Sequence, residues 1–131
     1  MRQAAFALIT ALALSGCGPS EPPQACDPPA SGAPTTLPLG LPLTEGATVL
    51  DVTTQGKTTI AFATIAGDAA DIVAVRDRVL VDLKAAGYTV VGTDQEPGFE
   101  AEAELAGSHE GTLKVAPRCT GRLEIRYKIE Q

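Results

Sequence analysis

The chain has 131 residues, 44% of them hydrophobic but only 4% aromatic, and 10 Lys+Arg against 16 Asp+Glu give a net charge of −6. That length accommodates one small domain. A net-acidic chain with no Lys/Arg stripe interleaved with aromatics lacks the positive field that phosphate backbones require, which excludes nucleic-acid binding. The apolar share is concentrated at the N-terminus, where residues 4–14 are apolar except for Thr10. A helix over that run rises about 16 Å at ~1.5 Å per residue, roughly half of the ~30 Å hydrocarbon core of a bilayer, so it is too short for a permanent span.

Arg2, the apolar run and then the small residues Ser15 and Gly16 follow the order of an export signal. The tetrad Leu14-Ser15-Gly16-Cys17 resembles the lipobox of bacterial lipoproteins. The resemblance implies that a lipoprotein signal peptidase cleaves between Gly16 and Cys17, removing signal peptide 1–16, and that Cys17 carries a thioether-linked diacylglycerol and an acylated amino group. Small residues before the cut fit a narrow protease pocket, and a thiol is the side chain that takes the thioether. Each buried methylene of an acyl chain contributes about 0.8 kcal/mol, and more than one chain makes anchoring durable. Gly18 stands where, in the enterobacterial sorting rule, an aspartate would retain the protein at the inner membrane. The implied address is therefore the cell envelope, on the outer membrane facing the periplasm if the source is a diderm. The alternatives are an ordinary secretory signal with a chance cysteine, or a buried N-terminal helix; the prolines that follow Cys17 oppose a helix continuing into a fold.

Residues 17–42 read as the lipidated cysteine and its tether. Eight of the ten prolines fall between positions 18 and 42, with Gly18, Gly32 and Gly40 among them. Such a stretch stays extended, reaching about 80 Å at ~3.1 Å per residue; the alternative is a proline-rich ligand for a groove. An exported chain with one lipid-bearing cysteine and two others, Cys26 and Cys119, leads us to expect a disulfide, the alternative being two free thiols. A bridge over so long a loop stabilises by roughly 4–5 kcal/mol in the chain-entropy model. It would also leave only residues 17–26 free, about 28 Å of tether at ~3.1 Å per residue.

The globular domain is expected over 43–131. Residues 47–54 are rich in β-branched types and form a first strand, Gln55-Gly56-Lys57 a turn, and 58–65 a second strand. Asp68 is the expected cap of a helix that has Asp71 at its positive end and Gly87 as its stop. Ile72, Val75, Val79, Leu83 and Ala86 form one apolar stripe. A strand at 88–92 is followed by the turn Gln95-Glu96-Pro97-Gly98. Phe99, Ala101, Ala103 and Leu105 then alternate with Glu100, Glu102 and Glu104, the period of a half-buried antiparallel strand. Strands at 111–116 and 122–130 complete the order β-β-α-β-β-β-β. One apolar stripe and several one-sided strands predict an α+β fold, with one helix packed on a single antiparallel sheet. The structured part is near the size at which one core gives modest stability, and its core is aliphatic.

The glutamates at 100, 102 and 104 project from one strand face with neighbours about 6.8 Å apart, a spacing found in glycosidase carboxylate pairs. Lys114, Arg122, Arg126 and Lys128 on the following strands account for them more simply, as cross-strand charge pairs on a solvated face. No Asp-x-Asp-x-Asp-Gly calcium loop occurs. His109, the single histidine, is expected on a loop surface, with no second imidazole to build a metal site, and its neighbour Ser108 points away from it. Phosphate-loop, nucleophile-elbow and dinucleotide motifs are absent, so the sequence calls for no cofactor. Arg76 lies at the edge of the helix stripe and is expected to snorkel to solvent; otherwise it pairs with a sheet carboxylate or meets an anionic ligand.

These readings converge on a membrane-anchored envelope lipoprotein with no catalytic residues. Its non-enzymatic domain would bind an envelope protein or cell-wall partner, or support an assembly. The segment Leu41 to Leu50 resembles, in its Pro-x-x-x-Gly-Ala pattern, the opening of small exported bacterial domains; the match carries no function over. The alternatives are a carrier or sensor of a small ligand held between helix and sheet, and hydrolysis by the glutamate row. A large pocket between helix and sheet would favour the carrier, and a filled core the binding domain.

Overall fold

The computed structural model describes residues 24–131. The expected signal peptide 1–16, Cys17 and the first part of the expected tether lie outside the described residues. The chain folds as one helix on a six-stranded antiparallel sheet, an α+β fold with the expected element order.

The first hairpin pairs β1, Thr48–Gln55, with β2, Thr58–Ala66, around the two-residue loop Gly56-Lys57. Gly56 has φ 60°, so the first loop position takes the left-handed conformation that matches strand twist. The helix then begins as expected at Asp68. Its carboxylate accepts from the Ala70 amide at 2.8 Å, while the Asp71 carboxylate accepts from the Asp68 amide at 2.9 Å, a reciprocal capping box. A short 3-10 turn, Ala69–Asp71, leads into α1, Ile72–Ala85. Gly87, with φ 96°, donates its amide to the Lys84 carbonyl and ends it.

Three further hairpins follow: β3, Tyr88–Glu96; β4, Glu100–Gly107; β5, Glu110–Cys119; and β6, Arg122–Glu130. The sheet order is β1-β2-β6-β5-β4-β3. The last strand therefore returns to the middle and docks on β2 along its whole length. The helix carries the chain from β2 to the far edge at β3 and lies across β3, β4 and β5.

Strand alternation separates two faces. Ala61, Ala63, Ala101, Leu113, Val115, Leu123, Ile125, Tyr127 and Ile129 are fully buried or nearly so and meet Ile72, Val79 and Leu83 of the helix. The opposite face carries Glu100, Glu102, Lys114, Glu124, Arg126 and Lys128.

Four expectations need correction. Strand β3 does not stop at Gly92 but runs to Glu96, because a bulge at Val91 shifts its register against β4 and re-aims the alternation that would have extended it. Phe99 does not point inward: it ends the tight turn after Gly98, where its amide donates to the Glu96 carbonyl, and it is 72% exposed. Arg76 does not reach solvent and is buried. Leu37 and Leu41, N-terminal to the expected domain 43–131, belong to the buried core. Strand β5 is longer than expected as well. Its Pro117 falls beyond the last residue paired with β4 and beside a register shift against β6, a position that spares the ladder a missing amide.

Candidate functional site

The chain between tether and domain is held at two separate places. The first is at the β5–β6 turn, where Cys26 and Cys119 form the expected disulfide, with Cα atoms 5.1 Å apart and a sequence separation of 93. Beside it the Thr120 amide donates to the Gln24 carbonyl at 2.9 Å, and the Thr120 hydroxyl donates to the same oxygen at 3.2 Å. Residues Asp27, Pro28, Pro29 and Ala30 then border a depression on the helix-free face, together with Leu50 and Phe62. At its rim Arg118 pairs with Glu124 at 2.6 Å.

The second place is on the helix side. Leu37 and Leu41 are buried, Leu39 packs against the core, and the Leu39 carbonyl accepts from the Tyr88 hydroxyl at 2.8 Å. Thr44 donates to the Asp82 carboxylate of α1 at 2.7 Å. Between Ala30 and Leu37 the chain thus passes from the open face to the helix face. The signal for this second attachment was in the sequence: leucines at 37, 39, 41 and 43 repeat every second residue. The intervening prolines and glycine hide a pattern that is otherwise that of a one-sided extended segment.

On the open face two members of the glutamate row, Glu100 and Glu102, meet one of the expected cations, Lys114. Lys114 lies 2.7 Å from Glu100 and 2.8 Å from Glu102. Its hydrogen bonds to those two carboxylates hold its ammonium pKa above the usual lysine value. The β3 bulge adds acidic neighbours that sequence reasoning missed, placing Asp94 opposite Glu102 and Glu96 opposite Glu100. Two adjoining shallow depressions of about 400 Å³ and about 380 Å³ share Glu104 and Thr112 in this region. Of the other basic residues, Arg122 donates to the Thr64 hydroxyl at 3.3 Å.

Arg76 has neither a sheet carboxylate nor solvent as its partner. Its guanidinium donates to the Asp94 carbonyl and the Gln95 side-chain oxygen, each at 3.2 Å, and to Asp77 at 2.8 Å. It thereby fastens α1 to the end of β3 beyond the bulge. Ser108 and His109 are not brought together: the Ser108 hydroxyl donates to the Gly87 carbonyl at 3.1 Å, while the His109 ring lies 6.3 Å from that of Tyr88. Tyr127 is fully buried, and its hydroxyl has no hydrogen-bond partner among the described residues. Desolvation, with a smaller contribution from Asp82, pushes its pKa far up.

Among the described residues, no group of three or more His, Cys, Asp or Glu side chains is placed to hold a metal ion. No described helix is long and apolar enough to cross a membrane. The lipidation residue expected from the sequence, Cys17, lies outside the described residues. Comparison with models of protein families, with curated proteins and with solved structures finds no match to this chain.

Proposed function

We propose that the protein is a bacterial envelope lipoprotein, anchored through acyl chains on Cys17, whose small domain acts by binding or structural support and not by catalysis. The observation that carries this reading is the ordered succession of Arg2, the apolar run and Leu14-Ser15-Gly16-Cys17. The disulfide at Cys26 agrees with it, because such bridges persist in oxidising compartments outside the cytosol. The short segment from Cys17 to Cys26 would hold the domain within about 28 Å of the membrane at ~3.1 Å per residue. The filled interface between α1 and the sheet, where Val79, Leu83, Leu113 and Ile125 are completely buried, favours a surface-acting domain over a carrier with an internal ligand. On the open face, Glu100 and Glu102 share Lys114, which supports a charge-paired solvated surface over a hydrolytic carboxylate pair.

The partner would be another envelope protein or the cell wall. Changing Cys17 to Ala in the producing cell tests the reading. The precursor is expected to accumulate uncleaved and without lipid, and normal processing of the variant would overturn the lipoprotein assignment.

A further inference from the structure

We infer that the Cys26–Cys119 disulfide is a redox-releasable clasp that sets how far the domain stands from its N-terminal attachment. The consequence for membrane distance rests on the lipid anchor proposed above, whereas release of the strap itself does not.

Three observations carry the inference. The clasp is accessible: Cys26 is exposed and Cys119 only half-buried, at the end of a sheet turn. Apart from the bridge and the two exposed Thr120 bonds to the Gln24 carbonyl beside it, the strap is lightly held, since residues 27–36 are exposed except for a half-buried Ala33. The domain, in contrast, keeps its hold on the chain further along. Leu37 and Leu41 are buried, Tyr88 holds the Leu39 carbonyl and Thr44 holds Asp82, none of which involves either cysteine. Opening the disulfide therefore frees residues up to 36 while the second attachment keeps the fold closed.

Release follows ordinary thiol–disulfide exchange with a dithiol reductant. A reductant thiolate attacks one cysteine sulfur, the S–S bond breaks, and the other cysteine leaves as a thiolate. The reductant's second thiol then attacks the mixed disulfide. The chain gains two electrons and two protons as two thiols, and the dithiol becomes an internal disulfide. The exposure of Cys26 is the property that marks labile, regulatory bridges. On the proposed anchor at Cys17, the chain from 17 to 26 would span at most about 28 Å at ~3.1 Å per residue with the clasp closed, and that from 17 to 37 at most about 62 Å with it open. A domain held close to its membrane would become one able to reach roughly twice as far.

The test is a resonance-energy-transfer pair on the full mature chain, attached through non-cysteine unnatural residues at the exposed positions Ala25 and Glu104. Transfer efficiency is expected to fall when dithiothreitol is added. It is expected to be low without reductant in the Cys26→Ser/Cys119→Ser variant, with the far-ultraviolet circular dichroism of the domain retained in both. Unchanged efficiency in the reduced chain and the variant would overturn the clasp, as would loss of the dichroism signal, which would make the bridge a general staple of the fold. Failure of the mature chain to partition into membranes would instead count against the anchor at Cys17 and leaves the transfer result decisive for the clasp.

Discussion

The Tyr88 hydroxyl donates to the Leu39 carbonyl at 2.8 Å, across 49 residues of sequence. It joins the first residue of β3 to the proline-rich segment at the point where Leu39 adopts φ 57°, a left-handed conformation that is costly for a branched side chain. Removing the hydroxyl leaves a carbonyl without its donor and a strained residue without its tie. Tyr88→Phe is expected to destabilise the domain by about 1 kcal/mol, read as a lowered midpoint in urea unfolding at constant slope.

The opposite sign is expected at the other tyrosine. The Tyr127 hydroxyl is buried with no partner among the described residues, and an unsatisfied buried polar group costs about 1–3 kcal/mol. Tyr127→Phe should therefore stabilise the fold by about 1 kcal/mol. It should also change the alkaline limb. Because burial raises the pKa of Tyr127, the unfolded chain loses this proton first, near the ordinary tyrosine pKa of about 10. The stability linked to it is present below that pH and declines as pH rises above it. Urea titrations between pH 8 and 11 should show a shallower alkaline decline in the phenylalanine variant.

On the open face, Lys114 is shared by Glu100 and Glu102. Either glutamate alone can keep the ammonium paired, so Glu100→Gln and Glu102→Gln should each cost well under about 1 kcal/mol, the scale of an exposed pair. The double variant should cost more than the sum of the two, a coupling that a double-mutant cycle measures. Replacing Glu100, Glu102 and Glu104 together by Gln should alter solubility or stability at most. Loss of a measured hydrolytic activity in that triple variant would contradict the non-enzymatic reading.

Arg76 donates to the Asp94 carbonyl and to Gln95 from a buried position. Arg76→Met keeps the apolar stem but removes charge-assisted hydrogen bonds, and should destabilise by about 2 kcal/mol. Hydrogen exchange should localise the loosening to the end of β3, after the bulge at Val91.

Where pattern and packing agree, the sequence is a sufficient guide. The alternation of Leu123, Ile125, Tyr127 and Ile129 with charged residues coincides with β6, and the stripe from Ile72 to Leu83 with the buried side of α1. The two cysteines could be paired on their number and on the export expected from the N-terminus, and the bridge is present. What escaped was set by single-residue irregularities and by distant partners. The bulge at Val91 moves Asp94 and Glu96 to the glutamate face, an inserted residue that no period of two reveals. Phe99 looks like the first inward position of a strand, but the turn at Gly98 claims it. Arg76 sits at the edge of an apolar stripe, and only the extended β3 supplies the oxygens that let it stay buried. Leu37 and Leu41 lie among prolines, whose solvated character in isolation conceals that the core of a small domain recruits them.

Mass spectrometry of the intact mature chain, isolated from membranes without reduction, bears most directly on the proposal of an anchored and clasped lipoprotein. The expected species begins at Cys17, carries a diacylglyceryl group and an amide-linked acyl chain there, and yields a Cys26–Cys119 peptide on digestion. A mature chain that begins elsewhere, or whose Cys17 bears no lipid, would contradict it.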